Sequence, residues 1–552
     1  MPKSRFLLVA GACLIITLAQ ALGQQPAAVE TRLSVDGAST ADEWGASGGK
    51  VGDLDGDGCT DLVFAAPYDD TFGLNLGMAR VISGKTGAPI WTIPGVAGKR
   101  PATASGGGDV DGDGFGDFMI GLPQNGSSPL GPGGSARVYS GATGVVIRTV
   151  AGSTLNDSFG FSHAIIGDVD GDGFDDFVAG TILPWNSSQP GYVRCYSGLT
   201  GAQLWQRTGA YAGHLLGFSM AAAGDVNGDG VPDVIVGAMG DHTFGTQNGA
   251  AYVYDGLTGV TLRTWIGAAG GHRFGFSVDG LGDLNGDGNA EVIVGVFRGN
   301  GPGYAHVYDG LTGGVLYIPT HAVVADRYGH TVSGAGDFDA DGTPDFVVAA
   351  PDGDVAGVVD CGFCRIFSGA TGALLREFHG DVATRKFPYA IGAAGDVNGD
   401  GLDDFFAGTI SVATLPGRVQ VFSRLCADRY GVAPTGDAQF PLVWTAGATA
   451  SPGNGAMTAT GVPPFAAGLL GIGAAPSAPL EILGVDLLID VSSGAWFGLP
   501  VTFDGSGSLQ LPLDLRTPGL GGIALYLQVI AADPAALQGL RATNGLSVLF
   551  GS

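Results

Sequence analysis

The chain is 552 residues long, with 100 Gly, 29 Pro and only 14% charged side chains. Its 52 acidic against 25 basic residues give a net charge of −27, which excludes a nucleic-acid partner, because phosphate binding needs a basic face. Hydrophobic residues at 45% exclude a disordered chain, and Gly without a three-residue period excludes collagen.

Residues 1–23 read as an export signal. Lys3 and Arg5 precede an apolar run over 6–19, and Ala21-Leu22-Gly23 supplies small residues for cleavage before Gln24. No later stretch reaches 18 uninterrupted apolar residues, so no transmembrane segment is expected, and the chain reads as secreted or cell-surface associated. Export keeps five Cys: Cys59, Cys195, Cys361, Cys364 and Cys426. An odd count leaves at least one thiol unpaired within the chain, while Cys361-Gly362-Phe363-Cys364 admits a local disulfide across a turn.

From residue 24 to 426 the chain repeats itself seven times. The pattern D-x-[DN]-x-D-G-x-x-[DE] recurs at intervals of 54 to 59 residues. Upstream of it lies an aromatic-Gly pair or its relic: Trp44-Gly45, Phe159-Gly160, Leu216-Gly217, Phe274-Gly275 and Tyr328-Gly329, lost at Arg100-Pro101 and altered at Phe387-Pro388. Downstream come a short apolar run such as Val234-Ile235-Val236-Gly237, a strand ending in a turn such as Tyr308-Asp309-Gly310, and a last apolar run such as Gln203-Leu204-Trp205. Four short β segments per unit and no sustained helical period predict an all-β chain with a seven-bladed β-propeller over 24–426. The seventh unit stops at Ser423-Arg424-Leu425 without a fourth strand, whereas residues 30–35 ahead of the first unit are strand-like. That N-terminal segment is expected to complete the last blade and latch the ring.

The repeated loops have the spacing of calcium sites. Positions one, three, five, seven and nine are Asp53, Asp55, Asp57, Cys59 and Asp61 in the first loop, and Asp109, Asp111, Asp113, Phe115 and Asp117 in the second. They are Asp168, Asp170, Asp172, Phe174 and Asp176 in the third, then Asp225, Asn227, Asp229, Val231 and Asp233 in the fourth. The last three hold Asp283, Asn285, Asp287, Asn289 and Glu291; Asp337, Asp339, Asp341, Thr343 and Asp345; Asp396, Asn398, Asp400, Leu402 and Asp404. Alternating carboxylates turn toward one centre when the chain curls, and Gly at position six permits the sharp turn. Position seven would offer its backbone carbonyl and position nine would close the shell. So many hard oxygen donors suit Ca²⁺ better than Mg²⁺, with up to seven structural ions expected. Acids at positions one, three, five and nine account for nearly all of the net charge, so the acidity is local and names no basic partner.

Residues 427–552 lack the loops. Apolar segments at 485–490, 499–503, 508–511 and 523–530 alternate with turn residues, which predicts a small C-terminal β-sandwich-like domain.

The aromatic-Gly pair, the Gly-Asp-x-[DN]-Gly-Asp-Gly loop and the relic Ala65-Ala66-Pro67, Gly121-Leu122-Pro123 and Ala349-Ala350-Pro351 resemble the FG-GAP repeats of the integrin alpha-chain propeller over about residues 30–425. The resemblance implies a seven-bladed propeller with Ca²⁺ in loops on one face and ligand contact on the other. The long integrin stalk has no counterpart here, and all seven loops are present where integrin chains carry only some. The leading expectation is therefore a non-enzymatic binding or adhesion protein for a protein or glycan ligand. Residues 121–134 and 181–191 are candidate contact stretches.

The alternative is a lectin or carbohydrate-active enzyme on the same fold, with Asp69, Asp70, Asp241 or Asp352 as candidate carboxylates. Gly45-Ala46-Ser47-Gly48-Gly49 matches a nucleophile motif but lies at the start of a strand and not on a strand-to-helix elbow. His214 and His272 occupy equivalent repeat positions and read as structural.

Overall fold

The computed structural model describes residues 29–424, apart from 41, 96–99, 124–132, 154–156, 182–188, 245, 297–301, 324–325 and 411–414, and beyond 424 only the backbone of the strands. The signal reading of residues 1–23 lies outside the described residues. The chain divides into two compact units, Met1–Leu425 and Cys426–Ser552.

The first unit is a ring of seven four-stranded antiparallel sheets. Blade three shows the pattern: Phe159–Gly167, Asp176–Thr181, Tyr192–Tyr196 and Gln203–Thr208 follow one another as inner, second, third and outer strands. Each inner strand contacts the next, and the seventh (Ala390–Gly395) returns to the first (Ser47–Gly52). The second strands carry the apolar runs, and every residue of Asp176–Thr181, Asp233–Ala238 and Asp404–Thr409 is buried. A strand apolar on both faces needs a neighbour on each side. Seven apolar clusters supply this, each built from two consecutive blades. Val178, Cys195 and Trp205 of blade three pack on Val234, Val236 and Tyr254 of blade four. Leu62 and Phe64 of blade one pack on Phe406, Val419 and Val421 of blade seven.

Outer strands grip the following blade through polar tips. Trp91, Trp205 and Trp265 donate their indole N–H to the carbonyls of Gly141, Gly256 and Gly313 at 2.8, 2.7 and 3.0 Å. His163, on the inner strand of blade three, is buried against blade two between Thr103 Oγ1 (3.1 Å) and Ser105 Oγ (2.8 Å). Burial pushes its pKa down to about 4.

The ring closes as the repeat count implies. Val29–Asp36 pairs antiparallel with Arg418–Arg424, opposing Leu33 to Val421 and Val35 to Val419, and becomes the outer strand of blade seven. Arg418 donates from Nε and Nη2 to the two oxygens of Asp36 at 2.6 and 3.1 Å. The Trp44 indole donates to the carbonyl of Val35 at 3.1 Å.

Cys59, Cys195, Cys361 and Cys364 are free and buried, so the local 361–364 disulfide does not form. Cys364 belongs to the strand Phe363–Phe367 and packs into the core between blades six and seven, while the Cys361 thiol faces the carbonyl of Gly353 at 3.7 Å.

In the second unit the strands pair into two antiparallel sheets. One contains Asn454–Ala459 beside Leu509–Asp514; the other centres on Ala467–Ala474 between Phe497–Thr502 and Ala524–Ala532. Packing of one sheet on the other, which a sandwich requires, lies outside the described residues.

Removing residues 24–36 is expected to lower the melting temperature by on the order of 10 °C, since a paired strand and its apolar contacts are lost. Asp36→Ala alone changes it little, because its ion pair is half-exposed. An unchanged melt on deletion would refute the latch. Burial disfavours the charged form of His163. Its folded pKa lies below the unfolded ~6.5, so its contribution is present above pH ~6.5 and is lost as pH falls toward 4. His163→Gln should therefore lose less thermal stability than wild type between pH 6.5 and 4.5.

Candidate metal centre and recognition rim

Every acidic loop joins an inner strand to the second strand of its blade, so all seven lie at one end of the ring. The aromatic-Gly pairs begin the inner strands and lie at the other end.

Each loop is organised by its own carboxylates. Asp168 accepts from the backbone N–H of Gly171 and Asp172 on one oxygen and from Gly173 on the other, at 2.7, 3.1 and 2.8 Å. Asp172 accepts from the N–H of Phe174 at 3.1 Å. The same bonds recur around Asp53, Asp109, Asp225 and Asp283. Gly173 at position six has φ 90°, a region closed to most side chains.

Position nine differs from the rest because it is buried. Asp61, Asp117, Asp176, Asp233, Glu291, Asp345 and Asp404 are each fully buried. Asp176 accepts from Val169 N at 2.9 Å and from Gly198 N, on the turn after the third strand, at 2.8 Å. Asp61, Asp117, Asp233 and Asp345 bridge the same two sites. Burial raises the pKa of Asp61 and Asp176 to about 6, and of Asp117, Asp233, Glu291, Asp345 and Asp404 to about 7, against the pull of the backbone donors. A neighbouring positive charge would relieve that penalty. In blade seven one oxygen of Asp404 has no hydrogen-bond partner.

The loops also brace one another around the ring. The N–H of Thr60 donates to the carbonyl of Asp396 at 2.8 Å, that of Asp175 to Asp109 at 3.0 Å and that of Ala290 to Asp225 at 2.7 Å. Pro232 and Pro344 stand at the corresponding position of loops four and six and have no N–H to give.

Carboxylate oxygens gather to within 4.8 Å of one another in five of the loops. Asp53, Asp55 and Asp57 meet in loop one. Positions one, three and nine meet in loops two, three and six: Asp109, Asp111 and Asp117; Asp168, Asp170 and Asp176; Asp337, Asp339 and Asp345. In loop five, Asp287 and Glu291 meet Asp309. Among the described residues, loops four and seven bring no three acids together. Both carry Asn at position three, and the Asn227 amide donates to Asp229 at 2.9 Å. The oxygen-only donor set fits a hard divalent cation. Asp309 was not among the ligands expected from spacing, since it read as a turn residue. Blades four and five have Asp255 and Asp309 where blades two and three have Ser140 and Ser197, and among the described residues only Asp309 joins a cluster of three acids.

The opposite end carries an arc of rings. Phe218, Phe276, His330 and Tyr389 start the inner strands of blades four to seven, with successive centroids 5.1, 4.8 and 5.3 Å apart. Tyr389 is 37% exposed and His330 is buried.

The acids proposed for sugar chemistry are held by neighbours at this end. Asp69 accepts from Thr71 N at 2.7 Å and Asp70 from Asn75 N at 2.6 Å. Asp241 meets buried His214 at 3.2 Å, and Asp352 joins Arg327 at 2.6 Å and Lys386 at 2.7 Å. His214 and His272 each bond a tyrosine hydroxyl, Tyr252 at 3.2 Å and Tyr304 at 3.1 Å. Ser47 donates to the Ala104 carbonyl at 2.9 Å and accepts from its N–H at 3.1 Å, stitching blade one to blade two. Residues 124–132 and 182–188 of the candidate contact stretches lie outside the described residues.

Ring and loops together define a seven-bladed propeller with an acidic loop in each blade. The FG-GAP repeat family matches residues 44–82 and 217–254, and an FG-GAP-like repeat matches 283–348. The chain is 28% identical over 288 residues to integrin alpha-V of Gallus gallus, covering 44% of this chain and 27% of that one. It is 31% identical over 219 residues to integrin alpha-5 of Xenopus laevis, covering 36% and 20%, and 34% identical over 223 residues to integrin alpha pat-2 of Caenorhabditis elegans, covering 35% and 18%. The chain is thus an integrin-alpha-like FG-GAP repeat protein whose match spans about a quarter or less of the length of these relatives.

Asp176→Ala should destabilise the protein even in chelator, because the buried donors of Val169 and Gly198 lose their acceptor, at about 1–3 kcal/mol each. Asp170→Asn should leave the chelator melt near wild type. Equal melts for the two variants in chelator would contradict the bridging role of position nine.

Proposed function

We propose that this chain is an exported, calcium-stabilised binding module that recognises a protein or glycan ligand and is not an enzyme. The reading rests on one arrangement: the recurring oxygen donors occupy one end of a closed ring, and the opposite end presents aromatic and charged side chains that differ from blade to blade. Similarity to integrin alpha chains supports an adhesion-type role at the cell surface or outside the cell.

The proposed ligands of Ca²⁺ are the acids and amides at positions one, three and five, the carbonyl at position seven, and the acid at position nine, with Asp309 added in blade five. The ion would supply positive charge where each blade buries a carboxylate. The protein's own part is positional. Backbone N–H groups fix the rotamers of positions one and five, and in five blades the position-nine acid ties the loop to the turn after the third strand.

Added Ca²⁺ should raise the melting temperature, and chelator should reverse the rise. A site with a Kd of about 10 μM at about 1 mM free ion contributes ~2.7 kcal/mol. Asp170→Asn should reduce the gain on saturation, and no shift with Ca²⁺ would overturn the metal reading. For recognition, Phe276→Ala should weaken capture of a ligand selected on peptide and glycan arrays by about tenfold while leaving the Ca²⁺ response intact. Turnover of a glycan in a reducing-sugar assay would overturn the non-enzymatic reading.

A further inference from the structure

Asp175 stands at position eight of loop three, between the two donors expected there to hold metal, the Phe174 carbonyl and the Asp176 carboxylate. Its own polar groups turn the other way, onto loop two. The Asp175 N–H donates to the carbonyl of Asp109 at 3.0 Å, and Asp175 Oδ2 accepts from the Asp109 N–H at 2.7 Å. Asp109 is the residue around which loop two curls: its carboxylate accepts from the N–H groups of Gly112, Asp113 and Gly114 at 2.7, 3.1 and 2.9 Å. Both backbone groups of one loop's organising acid are therefore held by the neighbouring loop. Gly108 makes room for the contact, since a Cβ there would lie 2.6 Å from Asp175 Oδ2. The Phe174 ring also lies against Gly112 of loop two.

The chemistry of the peptide group joins the two loops. The carbonyl of Phe174 and the N–H of Asp175 belong to one conjugated peptide plane. A cation on that carbonyl draws electron density from the nitrogen and strengthens the N–H as a donor to Asp109. It also fixes position eight, and with it the carboxylate that holds the Asp109 N–H. Loop two then meets its own ion with position one already set. Other junctions between loops carry parts of this contact. Asp403 of loop seven accepts from the Asp337 N–H of loop six at 3.1 Å. Thr60 and Ala290 donate their N–H to the carbonyls of Asp396 and Asp225 but have no carboxylate to return. Pro232 of loop four offers loop three neither group, and its ring packs on Gly167.

We propose that Asp175 is a positioning residue that couples loops two and three, so that Ca²⁺ in either raises the affinity of the other, while loops three and four, which meet at Pro232, bind independently. The inference rests on the calcium reading of the loops and adds which of them act together. The coupling is reciprocal by linkage: whatever the ion in loop three does for loop two, the ion in loop two does equally for loop three.

The test melts the full chain in chelator and in about 1 mM Ca²⁺ and takes the gain from Ca²⁺ within each variant. Asp111→Asn removes a charged ligand from loop two and Asp170→Asn one from loop three, each keeping an acceptor for its loop. The double variant should lose less gain than the two single losses added together, by the equivalent of about tenfold in binding. Asp170→Asn with Asp229→Asn, across Pro232, should lose the full sum. Asp175→Pro copies loops four and six, removes both bonds to Asp109 and should make loops two and three additive. Asp175→Asn keeps an N–H and an acceptor and should preserve the shortfall. If the Pro variant folds poorly, Asp175→Ala, which loses the carboxylate alone, should still reduce it. A shortfall untouched by Asp175→Pro or Asp175→Ala would make Asp175 merely structural and overturn the proposal. Single losses that add up, or a double loss larger than their sum, would overturn the coupling and spare the calcium reading. A wild-type chain with no gain from Ca²⁺ would overturn both.

Discussion

Each blade of the ring has a second strand that is apolar on both faces, and this sets the terms for the rest of the structure. Such a strand cannot be satisfied within its own sheet. It needs a blade on either side, and the demand passes around until the last blade meets the first. Burying one Val, Ile or Phe side chain contributes about 1.5–3 kcal/mol, and the second strands hold several each. A closed circle leaves no blade with an uncovered apolar face and only short edges on its strands. The pairing of Val29–Asp36 with Arg418–Arg424 follows from that need, joining segments almost 400 residues apart in sequence.

Closure brings the acidic loops side by side, so they are not seven independent features. The hydrogen bond from Thr60 to Asp396 spans the seam between blade one and blade seven. Prolines interrupt the same contact elsewhere. Position nine then links each loop to its blade through a buried carboxylate whose charge the surroundings disfavour. A buried acid tolerated in seven blades makes sense when a cation shares the loop, because the ion offsets the desolvation penalty that backbone donors offset only in part. The alternation of antiparallel strands separates this end from the other by the length of one strand. The side chains at the far end lie outside the acidic loops and differ among blades: Leu215, Arg273, Arg327 and Lys386 occupy one equivalent position.

The blade count, the loop residues and the missing fourth strand of the seventh unit were legible because they depend on spacing along the chain. Curling a nine-residue loop is a local matter, and its alternating acids announce it. The second role of position nine was not legible. Nothing in D-x-D-x-D-G-x-x-D indicates that the last acid also accepts a hydrogen bond from Gly198, 22 residues on. Asp309 was hidden for a similar reason, since it reaches the loop from a turn that spacing assigns to another element. Cys361 and Cys364 looked like a bridge by separation alone, but Cys364 points into an inter-blade core that only exists once blade seven is in place.

The sequence by itself determined a repeat, its strand pattern, and the chemistry of its loops, because these are carried by residues within one blade and by short-range geometry. Which carboxylates meet, which loops brace one another, and which strand closes the circle were decided only by tertiary structure. Those partners are one blade or a whole ring apart along the chain, and burial between blades, not local preference, selects them.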